Sequence, residues 1–528
     1  MGAGILPIVV GVTGHRDLRD EDRPKLARLV EDILADLEKS APHSPILFLS
    51  PLAEGADRVA ARAALKRGHM LIAPLPFPPD DYKRDFQSPD SIAEFDDLLG
   101  QSSAHFVVPG QAGDTCREAG YVRAGEYLLD HSQLLIAMWD GRPVDRDGGT
   151  YDVVQRAVEL GQRHMDDEFG SDPYDIRLVQ IVTPHDAFPE PEGALTVTHL
   201  TTGGSAPFYR EVLDHIEAFN RHSAALPDKE APPSSGLPNV ESLYRRSELL
   251  STRAQKSAKW SLRTLFQLGL LVVLALEIFE HFGIDLSLAA YILLFLAAAL
   301  VHLREKRSSN HEHYLDWRAI TEAARVQIHW REAGLPDMVA DHYPRKHRRT
   351  MLWIRRAVRT AGIIAPTCAE PDFPRLRKDW VQGQIDYFIR AGHRDERKLK
   401  HFEIWSERLF AASIPLALSI GILRWIGRER AGGLYELLEP LIVTAGAVPA
   451  LAATLSGFAE KSAWGEHAKE YGRMLELFRA ALSRLSKLED GPSEPIQALF
   501  RELGAEALAE NADWYAVHRA RPPDLIKG

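Results

Sequence analysis

The sequence predicts an α/β, doubly wound parallel sheet followed by an all-α membrane domain with four transmembrane helices in two hairpins. Three observations carry that expectation. Short, continuous apolar runs alternate with helical patterns from residue 5 to about residue 202, the pattern of a parallel sheet buried on both faces. Four segments in the second half are uncharged, or nearly so, over about the 20 residues that a bilayer core requires. Glycine-rich stretches in the first half fall where strands give way to helices, the positions at which such sheets bind ligands.

Average composition conceals this division. The chain has 528 residues, 45% hydrophobic and 26% charged, with a net charge of −11. Those are the averages of a soluble protein, and they exclude collagen-like, low-complexity and disulfide-scaffold classes. The length exceeds what one core supports, roughly 250–300 residues. Cys116 and Cys368 are too few for a disulfide framework and fit a reducing compartment. The mild acidity argues against general nucleic-acid binding, and no nucleic-acid partner is expected.

The stretch Met1–Val10 has no basic residue before its apolar run, so Ile5–Val12 reads as a first strand rather than a secretory signal. Further strands are expected at Pro45–Ser50, Met70–Pro74, His105–Val108, Gln133–Trp139, Arg177–Thr183 and Leu195–Leu200. Helices are expected at Ala53–Arg67, Arg117–Asp130, Tyr151–Gln162 and Phe208–Arg221. The prolines of His222–Asn239 mark a linker.

The membrane segments are Leu262–Phe279, Leu286–Leu303, Leu409–Leu423 and Pro440–Phe458. The second is uncharged over 18 residues and the fourth over 19. Trp260, Trp405 and Trp425 stand at segment ends, as interfacial aromatics do. The short loop Glu280–Asp285 is acidic, whereas Arg253, Lys256, Lys259, Arg263, Arg304, Lys306 and Arg307 lie on the other side. The positive-inside rule then places both termini and the first domain in the cytoplasm, as a multi-pass protein of the cytoplasmic membrane.

An internal repeat is also visible. At an offset of 154, Ser308 matches Ser462, His313 matches His467, Trp317 matches Tyr471, Glu322 matches Glu476 and Arg325 matches Arg479. Each pair of spans is preceded by a charged helix (Glu241–Trp260; Lys378–Trp405) and followed by another, which argues duplication of a helix–span–span–helix unit in parallel orientation. The expected organisation is 1–225, the α/β domain; 226–260, a linker and the helix leading to the membrane; 261–340 and 401–490, two-span units; 341–400, a helical connector; and 491–528, a terminal helix and tail.

The strand ends supply the candidate ligand site. Thr13, Gly14, His15 and Arg16 follow the first strand. Glu54, Gly55, Asp57 and Arg58 follow the second, and Asp140 and Gly141 the fifth, before Gly148, Gly149 and Thr150 open a helix. Glycines at a strand–helix junction let a phosphate approach backbone N–H groups and the positive end of the helix dipole. His15, Arg16 and Arg58 could add hydrogen bonds or charge, and Asp57, Asp140 or Asp152 could hold a ribose hydroxyl.

These stretches, GVTGHRDL, SPLAEGADRVAA and WDGRP…GGTYDVV, resemble the SLOG superfamily of Rossmann-like domains over roughly residues 5–200. That superfamily includes cytokinin-activating phosphoribohydrolases, the DNA-processing protein DprA and the N-terminal region of TRPM channels. The repeated two-span units resemble SLATT-type membrane effectors of prokaryotic conflict systems, and Glu510–Trp514 with His518-Arg519 is similar to their closing segment. The resemblance implies a nucleotide or NAD-derived messenger as ligand, an upstream nucleotide synthase, a homo-oligomer in the lipid bilayer, and permeabilisation or channel opening in antiphage defence. One departure bears on enzymatic activity. The phosphoribohydrolase loop Pro-Gly-Gly-x-Gly-Thr-x-x-Glu is here Asp147-Gly148-Gly149-Thr150-Tyr151-Asp152-Val153-Val154, so Val153 stands where the catalytic glutamate would be. A missing acid/base costs about 10²–10⁴ in rate, and the site is read as a binding pocket first. The alternative is a membrane-tethered nucleotide or NAD hydrolase with Asp152 or Glu54 as acid/base.

Arg345–Arg359 holds seven basic residues and no acid, and reads equally as a headgroup-binding helix or as one paired with the acidic remainder of the chain. His311 and His313 lack metal-ligand spacing, so no metal site is expected. Pro415 and Pro449 sit inside spans as kinks or hinges, and Gly446 and Gly457 give the fourth span a small-residue face suited to a pore-lining helix.

Overall fold

A computed structural model describes residues 5–110, 116–143, 148–166, 176–200, 205–227, 237–364, 370–427, 434–488 and 491–520. Asp147, Cys368 and the loop residues 428–433 lie outside this set. The sheet strands are β1 (Ile8–Gly14), β2 (Ile46–Leu49), β3 (Met70–Leu75), β4 (Ala104–Val107), β5 (Leu134–Trp139), β6 (Arg177–Val182) and β7 (Val197–Leu200). Among them run α1 (Arg23–Ser40), α2 (Ala56–Lys66), α3 (Pro79–Tyr82), α4 (Pro89–Gln101), α5 (Arg117–His131) and α6 (Thr150–Asp166), and α7 (Ser205–Ala224) follows.

The strand order is β4-β3-β2-β1-β5-β6-β7. All neighbours are parallel except β6 and β7, which pair antiparallel from Leu178↔Leu200 to Ile181↔Val197. The expectation of a wholly parallel sheet is therefore corrected at its last strand. That strand follows residues 183–196, which contain no helix to carry the chain back across the sheet for a parallel crossover. The central strands are apolar without alternation because both faces are covered, as in β5, where all six residues are buried. Chain order reverses between β1 and β5, so the loops after these two strands diverge to opposite sides and leave a crevice between them.

The remainder is helical: α8 (Val240–Phe282), α9 (Asp285–Ser308), α10 (Asn310–Glu332), α11 (Leu352–Ala361), α12 (Phe373–Leu376), α13 (Gly383–Gly427), α14 (Leu434–Lys461), α15 (Trp464–Leu488) and α16 (Ser493–Ala520). Among the described residues, four helical stretches are long and apolar enough to cross a membrane, and at most 11% of their most apolar windows is buried. Leu286 is 78% exposed and Trp425 73%, and Leu293, Leu300, Ile414 and Leu418 are likewise bare. Leaving each such side chain in water forfeits about 1.5–3 kcal/mol, so a surface of this kind belongs against lipid. The charged helices expected before each pair of spans are continuous with the first span of the pair, in α8 and α13, each over 40 residues long.

The repeat is visible in the backbone. The junctions α9/α10 and α14/α15 turn at Ser309 (φ 47°) and Ala463 (φ 53°), non-glycine residues in the left-handed region and 154 positions apart. The next turn closes in the same way in both copies, His313 N–H to Ser309 C=O and His467 N–H to Ala463 C=O, each 3.0 Å. Pro415 and Pro449 lie within unbroken helices. The Ser419 hydroxyl donates to the Pro415 carbonyl at 2.7 Å. Gly446 lies against the Glu277 carboxylate and Gly457 against the Phe266 ring, so the small-residue face of α14 receives α8.

Candidate functional site

The crevice between β1 and β5 opens into a cleft of about 470 Å³. Of the residues predicted from sequence, Thr13, Gly14, His15, Arg16, Asp57, Gly148, Gly149 and Thr150 line it. The Thr13 hydroxyl faces that of Thr150 at 3.5 Å, which joins the loop after β1 to the start of α6. Gly148 has φ +71°, and a Cβ there would lie 2.8 Å from Val122 N and Tyr121 Cβ, so the loop can pass α5 only as glycine.

The other predicted residues are held elsewhere. Glu54 accepts from the Gln87 amide at 3.0 Å and from the Ser91 hydroxyl, fastening the start of α4. Gly55 (φ +80°) is pressed against the backbone of His15 and Arg16 and opens α2. Arg58 is 1% exposed. It donates to Leu52 C=O at 3.1 Å and to Ser91 at 2.8 Å, and its guanidinium lies 4.4 Å from the Phe86 ring. It is a packing residue, and the expectation that it would meet a phosphate is corrected. Asp152 accepts from Gly148 N–H and from Arg156 Nε, both at 2.9 Å, so it braces the glycine loop rather than facing the cleft. Asp140 and Gly141 form the turn after β5, with the Asp140 side chain 2% exposed.

Sequence reasoning missed the wall contributed by the segment after β3 and by α5: Tyr82, Asp85, Arg117, Glu118 and Tyr121. The rule that ligands gather beyond strand ends, applied to β3 and β4 as well, points to these segments. Arg117 binds Asp85 at 2.8 Å and Asp81 at 3.0 Å, and Tyr121 also donates to Asp85. Burial would raise the Asp85 carboxyl, but Arg117 and Tyr121 outweigh it and hold the group below the usual range. The Arg16 guanidinium sits 5.0 Å from the Tyr121 ring.

Two electrostatic features stand out. Burial pushes the Asp57 carboxyl up to about 7, against the pull of the Ala53 backbone and of Arg16 and Arg58. Burial and the neighbouring His185 hold His15 below the usual imidazole range, against the pull of Asp140. The buried Tyr82 hydroxyl and Trp139 Nε1–H, both from cleft residues, have no hydrogen-bond partner among the described residues. An unpaired buried donor costs about 1–3 kcal/mol, which a ligand in the cleft could recover.

His15, Asp140 and His185 also come together, with one donor atom of each within 4.8 Å of the others. Ligand spacing along the chain gave no hint of this, because the three residues lie on three different loops.

The fold and the site together define a class: an α/β sheet unit with a cleft at its order reversal, joined to a helical region with four candidate membrane spans. No family model matches the chain, and no curated protein matches it.

Proposed function

We propose that this protein is a membrane-embedded sensor–effector whose Rossmann-like, SLOG-type sheet unit binds a nucleotide or NAD-derived messenger. The four spans, as two SLATT-type hairpins α8–α9 and α13–α14 in the cytoplasmic membrane with both termini inside, respond by permeabilising it. Antiphage defence is the setting the resemblance suggests, with an upstream synthase and a homo-oligomeric assembly.

What supports this most directly is α5. Its first turns line the cleft through Arg117, Glu118 and Tyr121. Its last turn meets the helical region, where Tyr127 donates to Ile363 C=O at 2.8 Å and Arg356 to Asp130 C=O. A ligand that repositions α5 would therefore act on α11, which packs on α10 and α8. Such coupling shifts an equilibrium only by the ligand's differential affinity, about 5.5 kcal/mol for a full switch. The full-length protein in liposomes should release a trapped dye when given the correct cyclic oligonucleotide, ADP-ribose or cyclic ADP-ribose, and the same compound should raise its Tm. No leakage with any compound that raises the Tm would overturn the effector half of this reading. An unchanged Tm across the panel would overturn the sensor half.

A second reading has one observation in its favour, the Asp57 carboxyl poised near neutral pH inside the cleft. On this reading Asp57 would serve as the general acid on an N-glycosidic bond in place of Asp152 and Glu54, whose carboxylates accept from Gly148 N–H and Gln87 N–H.

A further inference from the structure

We infer that His15, Asp140 and His185 bind a divalent transition-metal ion, zinc by the chemistry of the donor set, at the rim of the cleft. The three residues come from the loops after β1, β5 and β6. His15 Nε2 stands 3.2 Å from Asp140 Oδ1, and His185 Nε2 stands 3.4 Å from Asp140 Oδ2. Donors about 2.0–2.1 Å from a tetrahedral zinc lie about 3.3–3.4 Å from one another.

The Asp140 amide N–H donates to His15 Nε2 at 3.1 Å, so the ring proton is on Nδ1 and an ion at Nε2 would take the place of that N–H. His185 Nδ1 lies 3.1 Å from Asp17 Oδ2, to which it donates, and its Nε2 is the nitrogen turned to Asp140. Two ring nitrogens thus face the two oxygens of one carboxylate that is 2% exposed and that also accepts from Arg142 N–H at 3.1 Å. Among the nearest described cations, the Arg142 guanidinium is turned away, 3.3 Å from the centre of the Phe188 ring.

The surroundings are those of a metal site. Asp17 behind His185 supplies the carboxylate–histidine pair that orients metal ligands. The backbone is pinned: His15 N–H bonds Met138 C=O and its C=O accepts from Ala56 N–H, both at 2.9 Å. His185 and Phe188 exchange two backbone bonds, and His185 bridges Leu18. Three protein donors leave a tetrahedral ion one open position, as in catalytic rather than structural zinc sites. His15 also lines the cleft, so an ion there would stand beside the phosphates of a bound nucleotide; that consequence alone rests on the functional reading above.

The test uses full-length protein in detergent, stripped with a chelator and titrated with Zn²⁺ or Co²⁺. We expect one ion retained per chain after desalting, and the visible absorption of tetrahedral Co²⁺. Affinity should fall at least tenfold in His185→Ala and in His185→Gln, the second guarding against a packing defect, and about 10–100-fold in Asp17→Asn. The Tm of the metal-free variants reports whether they fold. If wild type retains no more metal than His185→Ala and gives no such absorption, the cluster is a His185 imidazolium bridging Asp17 and Asp140, and the metal site is refuted. The readout needs no nucleotide, and the messenger panel can be run in chelator, so the two readings fail separately.

Discussion

Asp57 sits in the first turn of α2 with its carboxyl buried beside Arg16 and Arg58, and it titrates near 7. In the unfolded chain the same group titrates near 3.8. Between those values the native protein holds a proton that the unfolded chain has lost. Stability therefore falls as pH rises from about 4 to 7 and levels off above, by at most on the order of 4 kcal/mol. Asp57→Asn mimics the protonated form, so its Tm in detergent should exceed that of wild type at pH 8 and approach it at pH 4. A difference independent of pH would contradict the assignment. The same variant decides the hydrolase reading, which requires that any product formed from AMP or NAD disappears with it. Arg58, one position on, shows the limit of residue-level reading. Arginine after a glycine turn suggested a phosphate contact, but its direction is set by Leu52 and Ser91.

Elements were the scale most legible from sequence. The apolar runs predicted as strands all form strands within three residues of their expected ends; for β1, β2, β3, β5 and β6 this is because strands buried on both faces leave an unbroken hydrophobic signal. The four spans were readable for the same reason, since lipid demands apolar residues on every face of a helix. What periodicity could not separate was the charged helix from the span it leads into, as the backbone is helical in both and only the solvent changes. The repeat, inferred from five matched residues, reappears as a shared backbone turn at Ser309 and Ala463. A left-handed non-glycine residue costs roughly 1–2 kcal/mol. Ala463→Gly should therefore raise the Tm modestly, by relief of up to about 1 kcal/mol, and Ser309→Gly should act alike. A fall in Tm for both would show that the turn is not strained.

At the scale of the molecule, the sheet unit and the helices share one buried core, running from Val10 and Phe48 through Val212 and Ile216 to Ile320, Trp330 and Ile354. The basic stretch Arg345–Arg359 lies inside this junction. Arg355 and Arg356 are buried, Arg355 donates to Ala340 C=O, Arg359 pairs with Asp341, and Lys346 and His347 bind Asp513 at 2.7 and 2.6 Å. Of its two sequence readings, pairing within the chain is the one the structure contains. If the junction transmits the signal, Tyr127→Phe, which removes the bond to Ile363 C=O, should leave messenger affinity within a few-fold of wild type while raising the concentration needed for leakage severalfold. Equal shifts in both would place Tyr127 in binding rather than transmission. The sequence by itself determined the alternation of strands and helices, the four helices apolar enough to cross a membrane, the residues matched at an offset of 154 and the glycine loops, since each is written in neighbouring residues or a fixed period. Only the tertiary structure decided that α5 walls the cleft, that Arg58 and Asp152 are braces, and that His185 joins His15 and Asp140 across 170 and 45 positions. Side-chain direction and the convergence of distant loops depend on how the elements pack, which no local pattern records.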